Sequence, residues 1–287
     1  MSATWHAVVP FRILDRAGKM RGSPRDAIVA ELSKKEKGKN FGMIRAFDNA
    51  GAVAGIVFSI LFFGYLGYKK LFLIAAVPSA VAVLLILFFI REKKKTKIKI
   101  YRGFSFSNLT KNYKIFLFSS SLFALGSFSY SFLLLYSKNF GFAAALIPVL
   151  YLIFTLVASL LSYYFGFISD KIGRKKILYL SYLFWILTCG IFAFARNYFA
   201  IVIGFVAYGL HKAAIEPVQK AFVADISEKN FLASSLGTFQ MVIGLIALPA
   251  SFFAGLLWVK INAYAPFYFS IALTILSIAI LMFVKEK

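Results

Sequence analysis

Eight apolar runs, each about as long as a membrane is thick, constrain this chain more than any other feature. They lie near 41–63, 71–90, 115–137, 143–167, 177–195, 199–226, 231–258 and 266–284. A helix needs about 20 apolar residues to cross the hydrocarbon core. In lipid it must also satisfy every backbone polar group within itself, which a helix does. With 61% hydrophobic and only 15% charged residues, too little polar surface exists to coat a soluble globule of 287 residues. Soluble enzymes and transcription factors are therefore excluded. The net charge of +22 does not point to nucleic acid, because the cations sit in short blocks between apolar runs. The expected fold is an all-α polytopic membrane protein, and its expected surroundings are a lipid bilayer.

The loops predict an orientation. The set 33–40, 91–114, 168–176, 227–230 and 285–287 holds twenty Lys and Arg, and the alternating set 64–70, 138–142, 196–198 and 259–265 holds five. By the positive-inside rule the first set and the C-terminus face the cytoplasm. The expected location is the cell's cytoplasmic membrane. Segment 1–32 is apolar only from Ala3 to Leu14 and then carries charges, so it reads as part of a ninth span. Lacking a basic start and a small-residue cleavage site, it does not read as a signal peptide. The single cysteine, Cys189, lies within an apolar run and is assigned to packing.

The chain contains an internal repeat. Residues 24–33 (PRDAIVAELS) align with 217–227 (PVQKAFVADIS) at an offset of 194 from Ala27 and Ala221. Phe41-Gly42 continues the match with Leu236-Gly237 at an offset of 195. Both copies run the same way through the membrane, so this is a parallel repeat with an even number of spans per unit. The back unit has six spans. The repeat thus predicts twelve spans for a complete protein and about nine in this sequence, with roughly the first three helices absent. The expected organisation is 1–90 as the remainder of an N-terminal six-helix bundle, 91–114 as a cytoplasmic basic linker, and 115–287 as the C-terminal bundle.

The loop from Gly166 to Lys176 reads GFISDKIGRKK. Gly166 allows close helix approach. Asp170 suits a helix N-terminus, where the macrodipole favours negative charge. Gly173 permits a tight turn. Gly166, Asp170, Lys171, Gly173, Arg174 and Lys175 resemble the loop motif between the second and third helix of each half of the major facilitator superfamily. Arg12, followed by Pro24 twelve residues on, resembles that family's fourth-helix motif. The stretch from Arg12 to Ala27 is similar to a subgroup of uncharacterised permeases within it. The resemblance implies two six-helix bundles that expose a central cavity to each side of the membrane in turn. It also implies that Gly166, Asp170, Gly173, Arg174 and Asp225 form a cytoplasmic gate. Gly42, Gly51 and Gly55 on the fifth span resemble the antiporter motif of drug exporters, although helix packing through small residues accounts for the same spacing.

Ionisable residues at membrane depth are costly and mark candidate functional sites. Arg12, Arg25, Asp26, Arg45 and Asp48 form an expected intramembrane charge network. Depth along the helices predicts the pairs Asp26–Arg45 and Asp48–Arg25. Lys212, Glu216 and Lys220 recur at intervals of four and share one helical face. Asp48, His211, Lys212 and Glu216 are the candidates for substrate binding or proton coupling, with a static ion-pair lock as the alternative. Tyr130, Tyr208 and Phe239 are either packing residues or contacts for a bulky apolar substrate.

No Walker A loop, H-E-x-x-H, G-x-S-x-G or acidic metal cluster occurs. No enzyme activity, cofactor or metal is expected. The sequence predicts a secondary active transporter of a small molecule, acting as a monomer with protons or sodium as candidate coupling ions. The alternative is a non-transporting remnant, or a membrane assembly or sensor subunit.

Overall fold

A computed structural model describes residues 22–33, 35–89, 109–195, 197–228 and 231–286. Among them are nine α-helices and one short 3-10 turn, and no strand. In chain order the helices are α1 (Gly22–Leu32), α2 (Lys37–Phe89), α3 (Lys111–Gly126), α4 (Ser131–Phe140), α5 (Ile147–Ile172), α6 (Arg174–Phe194), α7 (Tyr198–Ile226), α8 (Leu232–Lys260) and α9 (Ala265–Leu281). Six stretches of the described residues are long and apolar enough to cross a membrane.

Helix ends follow local chemistry. Thr110 accepts the Tyr113 N–H at 3.2 Å to open α3, and Asn197 accepts the Ala200 N–H at 2.8 Å to open α7. Pro148 and Pro266 stand in the first turns of α5 and α9, where a missing N–H costs nothing.

One expected span differs from the apolar run that announced it. The run 115–137 is broken between Gly126 and Ser131 into α3 and α4. Ser127 leaves helical geometry (φ −91°, ψ 82°), and the Ser129 hydroxyl accepts the Ser131 N–H at 3.3 Å. Serine can satisfy backbone groups that a helix would otherwise bond, and hydropathy does not register that competition. The expected loop 64–70 contains Gly67 (φ 63°, ψ 173°), a non-helical residue at which α2 is two helices joined across a kink.

The core lies within α3 to α9. Trp185, Tyr182, Phe192, Phe205 and Phe267 are fully buried there. Lipid tails are as apolar as leucine, so helices in a membrane are held by close packing and by polar contacts between them. Ser119 and Ser277 exchange hydroxyl-to-carbonyl bonds of 2.9 and 2.8 Å between α3 and α9. The Trp185 indole donates to Ser270 at 2.7 Å, with the buried Cys189 beside the same hydroxyl.

The front elements join this core by their early turns. α1 packs on α8, and α2 packs on α5 and α7. Further along α2 the side chains are exposed: Leu61, Phe72 and Leu87 are each more than 60% accessible.

Candidate functional site

The residues that bring α1 and α2 against α5, α7 and α8 form two layers. The outer layer lies at the basic-loop end. Asp170, in the last turn of α5, accepts the N–H groups of Gly38 and Lys39 at 3.0 and 2.7 Å. It thereby caps the N-terminus of α2, a helix more than 130 residues away in sequence. A carboxylate there satisfies two orphan donors and meets the positive end of the helix dipole.

Arg174 holds that carboxylate from the other side. Its Nη2 lies 2.5 Å from Asp170, its Nε 3.0 Å from Asp225, and its Nη1 2.7 Å from the Ser169 hydroxyl. Lys37 completes the lock at 2.9 Å from Asp225 and 3.1 Å from the Ala224 carbonyl. The structure therefore brings together Asp170, Arg174 and Asp225. It adds Lys37 and Gly38, which sequence reasoning did not single out.

Glycine makes the approach possible. A Cβ on Gly166 would strike the Gly38 carbonyl, one on Gly38 would strike the Gly166 carbonyl, and one on Gly42 would meet the Ser162 carbonyl at 2.5 Å. Gly38 and Gly42 on α2 thus face Ser162 and Gly166 on α5, two small-xxx-small pairs at a close crossing. Among the described residues nothing lies within 4 Å of a Cβ placed on Gly51 or Gly55, whereas Gly42 is needed for the close crossing. Gly173 adopts φ 105° as the chain enters α6. The Glu286 carboxylate accepts the Arg174 and Lys175 N–H groups there, and Lys175 Nζ donates to the Met282 and Val284 carbonyls at 2.8 Å.

The second layer lies two to three turns deeper. Nine residues of helix separate Asp225 from Glu216, roughly 13 Å at the α-helical rise. Arg25 faces Asp48 through two contacts of 3.4 and 3.3 Å. The expected Asp26–Arg45 pair does not form. Asp26, only 1% exposed, instead pairs with Lys220 of α7 and accepts a 2.7 Å bond from Gln240 of α8. Arg45 turns to Asp48 at 3.8 Å and to Glu216 at 3.7 Å. Depth along a helix does not say which neighbour a side chain faces.

Glu216 also pairs with Lys212 at 2.5 Å. Two donors in this layer, Arg45 Nε and Asn49 Nδ2, are buried atoms with no hydrogen-bond partner among the described residues. Next to it, on the side away from the lock, is a group of rings. Tyr130, at the α3–α4 break, stacks on Tyr151 at 5.3 Å with planes 8° apart, and Phe154 packs on Tyr151 and on Tyr208.

His211 is not part of this layer. It is 2% exposed, enclosed by Phe123, Trp185 and Tyr208, with Nδ1 2.9 Å from the Ser181 carbonyl. One step of helix, about 100°, turns it away from Lys212 and into the core. Phe239 is likewise buried, stacked on Phe116. Arg12 lies outside the described residues. Among the described residues no group of three or more metal-ligating side chains occurs.

The sequence profile of the Major Facilitator Superfamily matches this chain over residues 1–134 and again over 115–287. The chain belongs to the major facilitator superfamily. An uncharacterised MFS-type transporter of Methanocaldococcus jannaschii is 38% identical over 294 aligned positions, covering 99% of this chain and 73% of that protein. An uncharacterised MFS-type transporter of Bacillus subtilis, YqjV, is 38% identical over 26% of this chain and 18% of its own length. The quinolone resistance protein NorA of Staphylococcus aureus is 26% identical over half of this chain and 36% of its own length. With its apolar helices, this membership makes the chain a multi-pass membrane protein of a transporter family.

Proposed function

We propose that the chain is a secondary active transporter that moves a small molecule across the cytoplasmic membrane by alternating access. Its moving parts are a front unit in residues 1–90 and a C-terminal bundle in 115–287, joined by the basic linker 91–114. The observation that carries this reading is the lock of Asp170, Arg174, Asp225 and Lys37. It joins α2 to α5 and α7 through ion pairs and a helix cap, at the end of the glycine-lined crossing of α2 on α5. Such contacts form and release without exposing a core, which is what a gate between two bundles needs. The positive-inside bias puts the lock on the cytoplasmic side, so the structure corresponds to a state closed toward the cytoplasm.

Coupling resides in the second layer. Glu216 holds both Lys212 and Arg45, and Asp48 holds Arg25. A proton on either carboxylate releases its cations, so protonation and the arrangement of this layer are linked. The similarity to a quinolone resistance protein favours export over uptake as the physiological direction.

The reading is tested in proteoliposomes by counterflow of candidate solutes. Asp170→Ala is expected to reduce exchange at least tenfold with membrane insertion intact. Undiminished exchange in that variant removes the gate. Glu216→Gln and Asp48→Asn are expected to keep counterflow and lose accumulation driven by a pH gradient. Accumulation that survives in both variants, or that follows a sodium gradient instead, removes proton coupling.

A further inference from the structure

The second layer carries more cations than it neutralises. Among the described residues Arg25, Arg45, Lys212 and Lys220 face three carboxylates, Asp26, Asp48 and Glu216. A net positive charge at membrane depth is costly unless something balances it. Two donors here are buried without a hydrogen bond among the described residues: Arg45 Nε, held only by the 3.7 Å ion pair with Glu216, and the neutral amide Asn49 Nδ2. A buried donor without a partner calls for an acceptor, and Asp26 Oδ1, the layer's one buried acceptor without a hydrogen bond among the described residues, is occupied by Arg25 at 3.7 Å.

Helix direction places these groups. α2 runs away from the lock and α7 runs toward it. Arg45 lies opposite Glu216, 3.7 Å away. One turn deeper on each helix stand Asn49 and Lys212, at the same level by this antiparallel register. Lys212 is one-third exposed. One further turn along α7 is Tyr208, which with Phe154 backs the stacked pair Tyr130–Tyr151. Tyr130 is 39% exposed, so its ring face is accessible. It is carried by a helix break, and non-helical backbone at membrane depth occurs where it lines a cavity or is enclosed by protein.

We propose that this corner of α2, α5, α7 and the α3–α4 break is a binding site for a planar aromatic monocarboxylate. The carboxylate sits between Lys212 and Asn49, within reach of Arg45. The ring extends the Tyr130–Tyr151 stack. Flat rings of equal kind gain from offset stacking, which an aliphatic chain does not offer. A lysine and an amide N–H supply charge and direction for one carboxylate. The proposal rests on the transporter reading for its purpose, but the site stands on its own geometry.

The test uses the full chain in lipid nanodiscs, with radiolabelled 2-naphthoate as probe. Competitors are 2-naphthylmethylamine, which has the same ring and the opposite charge, and hexanoate, which has the charge without the ring. Naphthoate is expected to bind at least tenfold more tightly than either. Lys212→Gln is expected to weaken binding about tenfold, and Tyr151→Leu several-fold. Glu216→Gln, which frees Lys212 and Arg45, is expected to tighten it several-fold. That opposite sign separates a ligand site from a structural ion pair, whose disruption from either partner would weaken binding alike. Equal or tighter binding of the amine, or weaker binding in Glu216→Gln, overturns the proposal. Should Lys212→Gln fail to fold, the sign of the Glu216→Gln effect decides. Naphthoate binding without counterflow of any solute leaves the site and removes the transporter. Counterflow of other solutes without naphthoate binding removes the site and leaves the transporter.

Discussion

The two copies of the repeat meet each other at equivalent positions and carry opposite charges there. Asp26 on α1 and Lys220 on α7 are separated by 194 residues, the offset that aligns the copies, and they form an ion pair. On the partner helices the match continues at an offset of 195, which sets Arg45 of α2 against Gln240 of α8. Here too the copies differ: the neutral Gln240 serves Asp26, while the charged Arg45 serves Glu216 and Asp48. One turn on, Asp48 and Asn49 align with Ile243 and Gly244. Identical charges would repel in such a contact; here the charges are complementary, and the polar groups are concentrated on the α2 side.

The Asp26–Lys220 contact is the strongest test of this comparison. Asp26→Lys sets two lysines face to face in a site where the native carboxylate is almost wholly buried. The loss is expected to reach about 3–5 kcal/mol, the usual cost of breaking a buried pair. The swap Asp26→Lys with Lys220→Asp restores opposite charges and is expected to recover most of that loss in thermal unfolding of the detergent-solubilised protein. A double variant as unstable as the single one would mean that surrounding groups, not the pair, dictate the charges.

The matched glycines Gly42 and Gly237 sharpen the comparison at intermediate size. A Cβ on Gly42 meets the Ser162 carbonyl at 2.5 Å, whereas one on Gly237 meets nothing within 4 Å. Gly42→Ala is expected to destabilise by about 1–3 kcal/mol through overpacking. Gly237→Ala is expected to stabilise by up to about 1 kcal/mol, the ordinary helix gain over glycine. Shifts of the same sign in the two unfolding midpoints would show that the copies do not differ in how closely their helices are approached.

Much of this arrangement was legible in the chain itself. The repeat fixes which positions are related, the apolar runs mark the helices, and the loop from Gly166 to Lys176 marks the lock. What stayed hidden were the facts set by rotation about a helix axis and by distant partners. His211 and Lys212 are adjacent, yet one is sealed among rings and the other is one-third exposed. Gly38 shows nothing in sequence beyond its small size, because its role depends on the Gly166 carbonyl across the interface. Asp26 was assigned to Arg45 because the neighbouring helix offered a cation at similar depth. The 194-residue offset already pointed to Lys220, and it is the one signal that could have corrected the assignment.

The smallest expected effect separates packing from motion on α2. Gly51 aligns with Ile246 of α8, so only the front copy holds a glycine there. A built Cβ on Gly51 touches nothing within 4 Å, and the residue sits in unbroken helix. No neighbour among the described residues requires the absence of a side chain there. Gly51→Ala should therefore raise the unfolding midpoint slightly, by the equivalent of roughly 0.5–1 kcal/mol, since glycine inside a helix costs about that much. Counterflow is expected to stay within twofold of the parent. If stability rises as expected while exchange falls tenfold, the glycine is kept for a helix that bends or is approached in another state of the cycle. The likeness of Gly42, Gly51 and Gly55 to an exporter motif would then reflect movement rather than packing.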